Sequence, residues 1–193
     1  CFISLYDTVV NDRGLLAATG IMARLLKWLE QRALAVADVV ITDTQANADF
    51  LQKIFAGIQS QWRVLNLCIN EDLFQVAATV EGDQVNVLFA GSFVPLQGAD
   101  IVAQAALALR HRQDICFHLV GDGQTADAVQ ALLDKYEVNV NWQRGWFSIE
   151  QLAHQYASAD ICLGVFGSTA KAQRVLPYKV YMALACGKPV ING

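Results

Sequence analysis

The chain has 193 residues, of which 54% are hydrophobic and 17% charged, with a net charge of −4 at pH 7. That composition builds a core, and the length allows one large domain or two small ones. Mild acidity without a long Lys/Arg run argues against nucleic acid as the main partner, and no apolar run is long enough to cross a bilayer.

In chain order, "CFISLYD" (Cys1–Asp7) reads as a strand and Leu15 to Leu34 as a helix. "ADVVITD" and "WRVLNLCI" read as two further strands, with a helix over Gln45 to Phe55 between them. Three strands are too few for a complete domain of this kind. "QVAATVEGDQ" (Gln75–Gln84) is the expected linker. From Val85 onward, "VNVLFAG", "ICFHLVG", "VNVNW", "DICLGVFG" and "KPVI" alternate with helix-like runs, the last of which opens at Pro177. Such alternation predicts a parallel sheet with right-handed crossovers, covered on both faces. The expected fold class is α/β, with two Rossmann-like doubly wound sheets. Residues 1–75 would be the C-terminal part of a first domain, 76–84 the linker and 85–193 a second domain truncated at its C-terminus. The chain lacks an initiator Met and a signal peptide, and it opens and stops abruptly, so it reads as an internal piece of a longer protein.

The five cysteines are Cys1, Cys68, Cys116, Cys162 and Cys186. The last three lie in apolar runs, which suits buried free thiols in a reducing compartment. No Cys/His spacing fits zinc, so no metal is expected.

Ligands of open parallel sheets bind beyond the carboxyl ends of the strands. In the second half those ends carry "GSFVPLQG" (Gly91–Gly98), "GDGQ" (Gly121–Gln124), "RGWF" (Arg144–Phe147) and "GVFGST" (Gly164–Thr169). Glycine at every end suggests close approach of backbone to a ligand. Lys171, Arg174 and Lys179 gather around Pro177, which suits the first turn of a helix. A cation there opposes the helix dipole and makes sense beside an anion; the alternative is a solvated loop.

These segments, with "ADVVITDT", resemble family 4 of the retaining glycosyltransferases (group 1, GT-B fold). The resemblance runs from "DTVVNDR" to the end of the chain and is most specific over Gly91–Ile191. It implies a nucleoside-diphosphate sugar as donor substrate, no cofactor, and a glycan or lipid-linked acceptor in glycan or cell-envelope synthesis. It implies donor contacts at Gly91, Ser92, Gln97, Gly98, Gly121, Gly123, Gly145, Trp146, Lys171 and Met182, and a charge-stabilising role in catalysis for Arg174 and Lys179. Three departures stand out. Many members have Arg and Lys where this chain has Ser92 and Gln97. The first of two family glutamates matches Arg174, and the second, a ribose contact, matches Met182.

Asp7, Asp12, Arg13, Asp43 and Thr44 fit turns or caps as well as a site. His118 reads as structural, and His111 and His154 as helix-surface residues. Arg24, Lys27 and Gln31 form a polar stripe opposite Met22, Leu25, Leu26 and Leu29, either a solvated face or a peripheral membrane contact. Two other functions stay open beside glycosyl transfer, a catalytically impaired nucleotide-binding module and a nucleotide-sugar epimerase of the same fold. The expected location is cytoplasmic or membrane-peripheral, with self-association through an open sheet edge a further option.

Overall fold

The computed structural model describes residues 4–76 and 82–193. The chain divides into two units, Cys1–Leu67 with Thr169–Leu176, and Cys68–Ser168 with Pro177–Gly193. Residues 77–81 of the expected linker lie outside the described residues.

In the first unit the strand expected at Cys1–Asp7 does not form where it is described. Cys1–Ile3 lie outside the described residues, and from Leu5 the chain turns into a helical segment with a π-helical stretch at Asp7–Asp12. The cause is local. Ser4 Oγ accepts from Asp7 N at 3.1 Å and its carbonyl accepts from Thr8 N at 3.0 Å, the bonds of a helix cap rather than a ladder. Helix α1 (Ile21–Ala35) follows, and its Glu30 accepts from Leu5 N and Tyr6 N at 3.2 and 2.8 Å. Strands β1 (Val39–Thr42) and β2 (Gln61–Val64) pair in parallel around α2 (Gln45–Ile54). Thr44 caps α2 by accepting from Asn47 N at 3.1 Å, and buried Asp43 accepts from Asn47 Nδ2 at 2.8 Å. Both are therefore cap residues. Leu34, Val40, Leu51 and Phe55 form the small core. The α1 stripe of Ile21, Met22, Leu25, Trp28 and Leu29 is exposed.

The second unit is a five-stranded parallel sheet. Its strands are β3 (Val85–Ala90), β4 (Ile115–Val120), β5 (Asn141–Gln143), β6 (Ile161–Leu163) and β7 (Val190–Ile191), in spatial order β5-β4-β3-β6-β7. Helices α3 (Ala99–Ala108), α4 (Ala126–Lys135), α5 (Ile149–Ser158) and α6 (Tyr178–Ala185) connect them. Two cores result, as expected for strands covered on both faces. Phe89, Phe93, Val102 and Leu119 anchor one, and Leu88, Val120, Tyr156 and Met182 the other. Phe74 joins the second core, edge-on to Tyr156 at 6.2 Å, so chain before the expected linker packs with this sheet. Cys162 and Cys186 are buried free thiols, and burial pushes the Cys162 thiol up to about 12.

Candidate anion-binding site

The order β5-β4-β3-β6-β7 contains a topological switch point. From β3 the chain proceeds to β4 on one side, and from β6 to β7 on the other. A crevice forms where such connections diverge. The loop after β3 and the loop after β6 meet there. Phe166 N donates to Gln97 O and Gly167 N to Leu96 O, both at 3.2 Å. Gly98, at φ +66°, makes this approach possible, because a Cβ would lie 2.6 Å from the Phe166 carbonyl carbon. Gly121, at φ +122°, lies directly against the Gly91 carbonyl oxygen. Gly123 lies beside the backbone of Phe93. Gly91, Ser92, Gln97, Gly98, Gly121 and Gly123 thus form one backbone-lined edge.

Lys179 lies under this edge. It is in the first turn of α6, whose N-cap is Pro177 rather than the first helical residue. Pro177 is extended at φ −71°, ψ 152°. Lys179 is 5% exposed, and its Nζ donates to Gln97 Oε1 at 2.9 Å. The ammonium lies 3.9 Å from the centre of the Phe89 ring. Gln97 Nε2 donates on to Ser92 Oγ at 3.3 Å. Among the described residues no carboxylate pairs with Lys179. Burial alone lowers its pKa, to about 7.

Beside this edge is a cleft of about 200 Å³, lined in part by Gly91, Gly121, Asp122, Gly145 and Trp146. Trp146 is 89% exposed, so it is free to stack on a ligand and is not a core tryptophan. The core role belongs to Trp142, which stacks on Phe93 at 4.8 Å and donates to Gly121 O at 3.1 Å. Arg144 braces the cleft wall by bridging Asp122 at 2.8 Å and Asp127 at 3.0 Å.

Lys171 and Arg174 belong to the first unit. Lys171 Nζ donates to Thr8 Oγ1 at 2.7 Å and lies 3.9 Å from Asp12 Oδ2. Arg174 Nη2 donates to both oxygens of Asp7, at 3.3 and 3.1 Å, with its guanidinium over the Phe50 ring. Both cations already have partners there. Met182 is 7% exposed inside the core of Leu88, Val120 and Tyr156, a packing position in place of the expected ribose contact. His118 is half-buried, its Nε2 3.0 Å from Asn86 Oδ1, and its pKa is lowered by burial.

Phe89, Asp122 and Trp142 were not singled out from the sequence. Phe89 is an ordinary strand residue by pattern, and only the packing of α6 brings a lysine over its ring. The "GDGQ" run marked the position of Asp122 but not its pairing with Arg144.

A sequence profile described as "Glycosyl transferases group 1" matches residues 84–192, the stretch that carries this whole edge. The chain belongs to that family. Solved glycosyltransferases share the fold. WaaG, a glycosyltransferase involved in lipopolysaccharide biosynthesis, is similar at 18% identity and TM-score 0.71, over 98% of this chain and 54% of WaaG. HepE from Anabaena, crystallised with UDP-glucose, is similar at 17% identity and TM-score 0.67, over 88% of this chain and 48% of that one. TarM from S. aureus, solved with UDP among its ligands, is similar at 12% identity and TM-score 0.65, over 91% of this chain and 34% of that one. No curated protein matches the chain by sequence. The chain spans about half the length of WaaG and HepE, and the glycosyltransferase fold is accordingly present in part.

Proposed function

We propose that this chain is the donor-side part of a retaining glycosyltransferase that moves a sugar from a nucleoside diphosphate to an acceptor in glycan or cell-envelope synthesis. One observation carries the reading: among the described residues the buried Lys179 has no countercharge, and it lies beneath a glycine edge at the switch point. Backbone and ammonium together fit a diphosphate. As the sugar–phosphate bond breaks, negative charge grows on the leaving group, and a preorganised cation stabilises it. Trp146 is exposed for stacking a base, and Gly91, Gly121 and Gly145 line the cleft beside it. UDP-containing structures of HepE and TarM support a nucleotide in this role. Arg174 and Lys171 enter the proposal as supports of the loop that leads to α6, because their charges are already paired.

Calorimetric titration with UDP and GDP tests the reading, in the parent chain and in Lys179→Ala. The expected loss in the variant is about ten- to a hundredfold in affinity, the worth of a hydrogen bond to a charged group. A folded parent that binds neither nucleotide overturns it.

A second reading is a nucleotide-binding module without turnover. Arg174 engaged by Asp7 and Met182 in the core favour it, since neither presents a reactive group to the cleft. Binding of UDP without transfer to any acceptor by the full-length enzyme supports that alternative. The exposed Ile21, Met22, Leu25, Trp28 and Leu29 stripe beside Arg24 and Arg32 supports a peripheral membrane contact for such an enzyme.

A further inference from the structure

Among the described residues the buried Lys179 Nζ has no ion-pair partner, and the groups seen against it, Gln97, Phe89 and Gly91, are neutral. Gln97 reaches it from the 3₁₀ turn Pro95–Gln97, and Phe89 from β3. The loop after β3 contributes Gly91 and Ser92, the latter bonded to Gln97. Among the described residues no titratable side chain is hydrogen-bonded to Lys179 or paired with it. An amide oxygen accepts one of the three ammonium protons and supplies no charge. The free site therefore holds a cation at its weakest, and an arriving anion restores its proton affinity.

We infer that the site binds its diphosphate together with a proton, Lys179 passing from amine to ammonium as the anion arrives while Gln97 fixes its position. The inference rests on the donor-binding reading above. The proton comes from solvent, no bond to carbon or phosphorus changes, and the product is an ammonium–diphosphate pair. Gln97 is the positioning residue in this step. Its Oε1 aims Nζ toward Gly91, and its Nε2 is itself held by Ser92. With the free amine titrating near 7, ordinary cytoplasmic pH falls on the steep part of the curve.

The test is calorimetric titration with UDP-glucose, whose doubly esterified diphosphate has no proton to exchange in this range. It is run near pH 6 and near pH 8.5, each in two buffers of different ionisation enthalpy. Proton uptake close to zero is expected at the lower pH and approaching one at the higher, with affinity falling about tenfold per pH unit above 7. Lys179→Arg keeps its charge throughout and flattens both dependences. Should that variant fail to fold, a 13C-lysine NMR titration of the parent gives the same answer. Lys179 then titrates near 7 without ligand and well above it with UDP-glucose. Binding at both pH values without proton uptake, or a free Lys179 titrating near 10, overturns the proton coupling and leaves donor binding intact. No binding at either pH removes donor binding and the coupling together.

Discussion

Lys179 Nζ and Gln97 Oε1 are 2.9 Å apart, a buried ammonium held by a neutral amide where many family members carry a basic residue in the loop. The cation at this loop comes from the far end of the unit's sequence, from a lysine on α6. A second cation at position 97 would meet the first at contact distance. Gln97→Lys is therefore expected to weaken folding, and Gln97→Lys with Lys179→Gln to recover it. Denaturant midpoints for the single and double variants decide the point.

The same lysine gives stability a defined pH dependence. Unfolded, Lys179 titrates near its ordinary 10.5, whereas folded it titrates near 7. Between these values the unfolded chain binds a proton that the folded chain does not, so stability rises with pH across that window. Below pH 7 both states are protonated, and the cost of the buried charge is carried in full. Urea midpoints measured from pH 7 to about pH 9.5 are expected to climb in the parent and to climb less in Lys179→Met.

Gly121 is constrained twice, by φ +122° and by the Gly91 carbonyl oxygen that a Cβ would strike. Backbone atoms cannot yield as a flexible side chain does. Gly121→Ala is expected to cost about 1–3 kcal/mol from backbone strain, with the clash in addition. A thermal scan would show it, and an unchanged melting temperature would mean that the β3 and β4 ends are not held this closely.

Met182→Glu separates packing from recognition. A carboxylate there would be enclosed among Leu88, Val120 and Tyr156, with the Tyr156 hydroxyl the one polar group of those three. The expected outcome is a loss of about 1–3 kcal/mol and no gain in UDP affinity. A tighter complex from this variant would mean that residue 182 reaches the ribose after all.

In the first unit, Asp7 is 2% exposed and its partner Arg174 13% by side chain. Asp7→Ala would leave the guanidinium enclosed, with Nε and Nη1 already without acceptors among the described residues. The expected loss is about 3–5 kcal/mol by denaturant unfolding, with part restored in the double variant Asp7→Ala, Arg174→Ala. A loss in the double variant equal to the sum of the losses in Asp7→Ala and Arg174→Ala alone would show the pair to be uncoupled.

Much of the second unit was legible because its signals are local. Val/Ile-rich runs of strand length, glycines at their ends and Pro177 ahead of a helix all lie within a few residues of what they specify. Five runs separated by helices forced a parallel sheet, and the glycines marked the edge at the carboxyl ends of its strands. The opening segment misled for a related reason. "CFISLYD" has strand composition, but Ser4 offers its side chain and carbonyl to the residues that follow, and that local bonding turns the chain into a helix.

By itself, then, the sequence determined the α/β class, the parallel order of elements and the edge where glycine lets one backbone segment approach another. The tertiary structure alone decided the fate of each charge. Three cations close together along the chain separate into two paired with Asp7 and Asp12 and one buried with no countercharge among the described residues. Charge pairing depends on distances of a few ångströms between residues as many as 167 positions apart, and no local pattern encodes such distances.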